Sequence, residues 1–179
     1  MRSHAVVVGA GPVGTLAALL LAKNNVSVTL IERNTDWISS SRASTFHPST
    51  LDLLGSIDIH LQYATDAVTV DSLQWRNQNG EVLAEFNYNL ISDLTKHPYR
   101  VHLEQQHLLH ALAELVSNEP EIESFLGTTV VDLDQVEPSV TVLSADGMRK
   151  TINADMILGC DGANSTVRRL AGIGFPVED

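Results

Sequence analysis

Two short runs of aliphatic and β-branched residues, at positions 5–8 and 26–31, bracket a Leu- and Ala-rich segment over 15–22. The short runs predict buried strands and the longer segment a helix. Strand and helix are joined by Gly9-Ala-Gly11-Pro12-Val13-Gly14, so the chain turns sharply at three glycines before the helix begins.

Farther on, the pattern predicts a short helix over 48–54, with Leu51 and Leu54 inward. Strands over 67–75 and 81–86 flank Asn79-Gly80, a strong hairpin signal. Val82, Ala84 and Phe86 alternate with Glu81 and Glu85, which predicts one dry face on this hairpin. An extended stretch over 99–103 leads into a helix over 104–116, with Leu108, Leu112 and Leu115 on one face. Three strands at 129–134, 139–144 and 148–153, the last two joined by Asp146-Gly147, predict an antiparallel meander that packs Val130, Val140 and Val142. A buried strand over 155–159 then turns through Cys160-Asp161-Gly162 into a helix over 166–171, capped by Asn164 or Ser165.

The opening strand, glycine turn, helix and strand have the geometry of a dinucleotide site. Gly9 permits the turn, Gly11 lets backbone approach a pyrophosphate, and Gly14 lets helix pack on strand. Pro12 suits a first helical position, and the free N–H groups at the helix start attract phosphate. Glu32 closes the second strand where an acidic residue meets a ribose diol; it would repel a 2′-phosphate, which favours FAD or NAD over NADP. The counter-reading makes Arg33 a 2′-phosphate ligand. A signal peptide or membrane span is the bland alternative for Arg2 and the apolar run behind it, but three glycines and a proline disrupt it.

Charge narrows the partners. The 179 residues carry 22 acidic against 11 basic side chains, a net charge of −11, with no basic cluster longer than Arg168-Arg169. Nucleic acid and anionic membrane are therefore excluded as partners, and stable membrane insertion is not expected. Cys160 is the only cysteine, which rules out an internal disulfide and fits a reducing, cytoplasmic setting. Asn25-Val-Ser27 and Asn164-Ser-Thr166 match the glycosylation pattern by chance, given no secretory signal.

Six further residues are candidates for chemistry. Arg42, isolated in the Ser-rich segment 34–49, is either a solvated surface charge or a bidentate phosphate ligand. Gln105 opens a helix, where its amide either meets water or reaches a ligand. Asp161 puts a carboxylate at the carboxyl edge of a parallel sheet, where such folds bind ligands, or is simply a turn residue. His107 and His110 share a helical face, yet no further ligand pattern joins them, so no metal is expected. Cys160 has no basic neighbour in sequence and reads as a small buried residue rather than a nucleophile.

Taken together, these motifs resemble the N-terminal portion of the class A flavoprotein monooxygenases, the FAD-dependent aromatic hydroxylases. Gly9-Ala-Gly-Pro-Val-Gly14 with Glu32-Arg33 resembles the ADP-binding βαβ. Ser41-Arg42-Ala43 with Phe46-His-Pro-Ser-Thr-Leu-Asp-Leu-Leu54 resembles the arginine loop and the helix after it. Gln105-x-x-Leu108-x-x-x-Leu112 resembles the glutamine helix, with Leu109 where an acid is usual. Gly159-Cys-Asp-Gly-Ala-Asn-Ser-Thr-Val-Arg168 resembles the Asp-Gly motif that serves FAD and the reduced nicotinamide.

The resemblance implies an α/β fold: a Rossmann-like FAD-binding domain of the glutathione-reductase type over 1–179, with a parallel sheet and a three-stranded antiparallel meander. The hairpin region 67–100 is an insertion that begins a β-rich substrate domain. It implies that Gly9, Gly11 and Gly14, with Pro12 and Val13 at the helix start, hold the pyrophosphate, and that Glu32 holds the adenosine ribose. Arg33 would lie by the adenine end, Arg42 and Gln105 by the phosphate and ribityl groups, Val130 beside the adenine and Asp161 along the FAD chain. NADH or NADPH, O2 and a small phenolic substrate complete the implied reaction, an aromatic hydroxylation in which no side chain of this stretch acts as catalyst. The family's later Gly-Asp motif has no counterpart before Asp179, so the chain is expected to be a truncated FAD-binding portion. A non-catalytic FAD- or ADP-binding remnant, or part of a related FAD reductase or halogenase, is the alternative.

Overall fold

The computed structural model describes residues 2–37 and 44–176. In chain order the elements are β1 (His4–Val8), α1 (Pro12–Lys23), β2 (Ser27–Ile31), β3 (Thr45–Phe46), α2 (Pro48–Gly55), β4 (Val68–Val70), β5 (Ser72–Arg76) and β6 (Val82–Asn87). They continue with β7 (Arg100–His102), α3 (Gln105–Asn118), β8 (Ile122–Phe125), β9 (Thr128–Asp134), β10 (Ser139–Ser144), β11 (Arg149–Asn153), β12 (Met156–Gly159) and α4 (Thr166–Leu170). The chain divides into two units, one of residues 1–39 and 109–179, the other of residues 40–108.

The first unit is built on a parallel sheet of order β12-β1-β2-β8. Val8 pairs with Ile31 on one side and Gly159 on the other, so the ends of three strands lie side by side at the glycine turn. Both faces of β1 and β2 are covered, which is why these strands read as continuous apolar runs. On one face Val6, Val8 and Ile31 meet Val130, Val140, Val142 and Ile152 of the meander and Val167 of α4 in a single core. The alternate residues Ala5, Val7, Val28 and Leu30 point the other way, toward the face on which α1 packs, and none is more than 2% exposed. The meander has order β11-β10-β9, with a register shift between Thr141 and Val142.

The sequence pattern does not predict β8. Its burial alternates weakly, with Glu123 and Ser124 exposed, because it is an edge strand held through Val28–Ile31 alone. In α3 the buried positions are Leu108, Leu109, Leu112 and Val116, whereas Leu115 is 37% exposed. Leu108 and Leu112 are thus buried as expected, and the stripe ends on Val116 in place of Leu115.

The second unit holds a three-stranded antiparallel sheet of order β3-β7-β4 and a separate hairpin of β5 and β6. The single strand expected over 67–75 is two strands broken at Asp71: β4 pairs with β7, and β5 pairs with β6. The hairpin turn is held by Asn77, whose side-chain oxygen accepts the Asn79 and Glu81 amides at 2.9 and 3.0 Å, while Gly80 adopts φ 83°. Its expected dry face does not form among the described residues. Trp75 is 53% exposed and Val82 46%, and of the apolar residues on that face only Leu73 and Phe86 are half-buried.

A polar tie fixes α2. Asp52 accepts His97 Nδ1 at 2.7 Å and the Lys96 amide at 3.1 Å. The Thr95 hydroxyl first, and then His97 and the Lys96 amide, hold the Asp52 carboxyl below its ordinary range against some desolvation. No helix among the described residues is long and apolar enough to cross a membrane.

Candidate nucleotide-binding site

The three glycines of the turn have three different reasons to be glycine. Gly9 adopts φ +102°, and a Cβ there would lie 2.5 Å from the Cys160 carbonyl oxygen. Gly14 would place a Cβ 1.9 Å from the Gly9 carbonyl oxygen and 3.0 Å from Cys160 Cβ. Both are therefore demanded by the fold, because β1, α1 and the end of β12 meet there without room for a methyl group.

Gly11 is different. It sits at the N-cap of α1 with φ −71° and ψ 179°, a conformation open to any residue. A Cβ on it would meet nothing within 4 Å. Neither backbone nor packing within the chain requires glycine at this position. What its hydrogen preserves is open space in front of the first turn of α1.

That space faces positive potential. Pro12 is the first residue of α1, and no side chain caps the helix start. The N–H groups of the first turn have no intrahelical acceptor and carry the positive end of the helix dipole. Val13 stands 71% exposed beside them. Thr15 turns inward, its hydroxyl donating to the Ala10 carbonyl at 3.0 Å, and so braces the turn from behind. The arrangement fits a bound diphosphate.

Glu32 follows the end of β2 and is only 5% exposed. Its Oε2 accepts the Ala10 amide at 2.9 Å, and its Oε1 accepts the Asn34 backbone amide at 2.9 Å and the Asn34 side-chain amide at 2.7 Å. The backbone on either side is tied to β8 and β9 through the Phe125 carbonyl and the Thr128 amide, each at 2.9 Å. A carboxylate is thus held beside the glycine turn by the turn itself. Asn34 was not singled out in the sequence; an amide two residues after an acid, in a loop leaving a strand, is the signal that identifies it. Arg33 points outward and is exposed.

Asp161 lies in the turn after β12, next to the Gly9 backbone. Its Oδ1 accepts the Ser165 hydroxyl, and its Oδ2 accepts the Thr166 and Val167 amides at 2.5 and 3.2 Å. Ser165 in turn caps α4 by accepting the Arg168 amide at 3.0 Å. The carboxylate therefore organises the start of α4. Cys160, packed behind Gly14, has its thiol pushed up by burial and by the Asp161 charge, which keeps it a neutral packing group.

The structure brings Gly9, Gly11, Pro12, Val13, Gly14, Glu32 and Asp161 together at the carboxyl ends of β1, β2 and β12. Val130 is 3% exposed and its side chain belongs to the valine core, so only its main chain can face a ligand. Gln105 belongs to the other unit, half-buried at the start of α3. Arg42 lies outside the described residues.

A parallel sheet whose central strand enters a helix through this turn, with an acid at the end of the next strand, defines a dinucleotide-binding protein of the α/β class. Residues 2–179 match the FAD binding domain family, and the chain belongs to it. It is 32% identical over 171 residues to the para-nitrophenol 4-monooxygenase of Pseudomonas sp. strain WBC-3, covering 95% of this chain and 42% of that protein. The crystal structure of p-nitrophenol 4-monooxygenase PnpA from Pseudomonas putida DLL-E4 superposes with a TM-score of 0.85 at 29% identity, covering 98% of this chain and 45% of that one. The anhydrotetracycline hydroxylase OxyS from Streptomyces rimosus superposes with a TM-score of 0.82 at 27% identity, over all of this chain and 36% of that one. The chain spans less than half the length of these relatives.

Proposed function

We propose that the chain holds FAD for an NADH- or NADPH-dependent monooxygenase that hydroxylates a small phenolic substrate with O2. The observation that carries the cofactor part is Gly11, a glycine that neither the backbone nor the packing needs, set before an uncapped helix start. The reaction class is supported by the chain's similarity to relatives such as the para-nitrophenol and pentachlorophenol 4-monooxygenases.

In this reading FAD supplies the electron-transfer and oxygen chemistry, and the chain supplies binding and orientation. The first turn of α1, with Gly9, Gly11, Pro12, Val13 and Gly14, holds the pyrophosphate. Glu32 accepts an adenosine ribose hydroxyl through the Oε2 lone pair that its three bonds to Ala10 and Asn34 leave open. Arg33 lies by the adenine end with the Val130 main chain, Arg42 and Gln105 serve the phosphate and ribityl region, and Asp161 shapes the loop along the FAD chain.

The test is flavin retention after gel filtration, read in the visible spectrum. The unaltered chain is expected to keep about one FAD. Gly11→Val is expected to keep its melting temperature within a few degrees and to emerge colourless. A folded Gly11→Val protein that keeps its flavin overturns the reading. Rates of flavin reduction by NADH and NADPH then identify the co-substrate.

A further inference from the structure

Arg100 is the first residue of β7, opposite Val70 of β4. Strand alternation puts Arg100, His102, Val68 and Val70 on one face of the β3-β7-β4 sheet, and Val101 and Phe46 on the other. The second face is closed, with Val101 0% and Phe46 5% exposed. The first is open, with Val68 57% exposed.

On that open face the Arg100 guanidinium lies 5.3 Å from the ring centroid of Tyr88. Tyr88 is itself 5% exposed and meets Phe86 edge-on at 5.2 Å. The Arg100 Nε is buried and has no acceptor. Nor does any carboxylate among the described residues form an ion pair with Arg100, in a chain where acids outnumber bases 22 to 11.

A ring beneath a guanidinium offsets part of the cost of desolvating its charge, but it accepts no hydrogen bond in the guanidinium plane. An unmet buried donor is costly, and folded proteins leave few of them. Stacking alone gains nothing from burying Nε, since the same stack with Nε in water would avoid that cost. The arrangement is accounted for by an acceptor that comes and goes. A planar fork held over a buried ring, with an apolar valine pair beside it, matches a flat ring carrying an anionic oxygen.

We propose that Arg100 recognises the anionic oxygen of an aromatic substrate, a phenolate or carboxylate, with Tyr88 holding the guanidinium in place. This assignment rests on the aromatic-substrate reading above and adds the charge state of the ligand to it. Arg100 is a specificity residue here, with no proton or electron to move.

The experiment titrates the FAD-loaded full chain with 4-nitrophenolate and with its neutral methyl ether, 4-nitroanisole, following the change in absorbance. Arg100→Met is expected to weaken phenolate binding about 10- to 100-fold and ether binding less than about twofold. Arg100→Lys, which keeps the charge and loses the fork, is expected to fall between. Equal losses for both ligands, or no loss for either, overturn the assignment. If Arg100→Met does not fold, Arg100→Lys decides, and unchanged phenolate affinity in that variant overturns it. A failure of the aromatic reading shows in the unaltered protein, which would then bind neither ligand; a failure of the Arg100 assignment shows only in the variants.

Discussion

β1 and β2 on one side and the β5–β6 hairpin on the other are both rich in apolar residues, yet the fates of those residues differ. Ala5, Val6, Val7 and Leu30 are 0% exposed, whereas Trp75, Val82 and Leu83 are 46–68% exposed. The parallel strands find their cover within the chain, from α1 and the meander. The hairpin does not find it among the described residues. Apolar alternation says that a face is suited to be dry, and leaves open what dries it.

The largest expected effect tests how tightly the parallel unit closes on itself. Gly14→Ala puts a methyl group 1.9 Å from a backbone oxygen and is expected to cost about 3 kcal/mol or more, read by urea unfolding. Next comes the contrast itself. Leu30→Ala should cost about 3 kcal/mol, while Trp75→Ser should change stability by less than about 0.5 kcal/mol and reduce aggregation. Similar costs at the two sites would break the comparison.

A smaller effect separates scaffold from ligand at the end of β12. Asp161→Ala removes the acceptor of the Thr166 and Val167 amides and of the Ser165 hydroxyl. It should cost about 1–2 kcal/mol in the absence of FAD, seen as a lowered melting temperature. No change without FAD, together with lost flavin retention, would give the carboxylate a ligand role alone.

The smallest effect lies in the second unit. The folded Asp52 carboxyl is held below its ordinary value of 3.8, so its ionised form stabilises the fold above that pH and the contribution fades as pH falls below it. Asp52→Asn should lower stability by less than about 1 kcal/mol at neutral pH, as its side chain is 32% exposed. The difference should shrink progressively as pH falls below 3.8 in acid titrations followed by circular dichroism.

Much of the first unit was legible because its signals are local. The glycine turn lies between a β-branched run and a Leu/Ala run, Asp146-Gly147 marks the β10–β11 turn, and Ser165 caps α4 as its position suggests. What was not legible depends on distant pairing. β8 is a strand because β2 offers it an edge, and residues 67–75 break at Asp71 because β7 claims one half and β6 the other. At the site, glycine spacing marked all three positions but could not show that Gly11 alone has no duty within the chain. Nor could it show that Glu32 accepts the Ala10 amide, a bond that exists only once the ends of β1 and β2 lie side by side, or that the Asp161 carboxylate is turned onto the first amides of α4.

The bonds around Glu32 set a limit on redesigning the protein. To favour a nucleotide with a 2′-phosphate, an engineer would exchange this acid for a neutral or basic residue. That exchange would also release the Ala10 amide and both Asn34 donors, loosening the turn that leads into α1. In the proposed FAD-binding reading, selectivity at the sugar and grip on the phosphates would thus be coupled through one side chain. A change of cofactor preference here calls for a rebuilt loop rather than a point replacement.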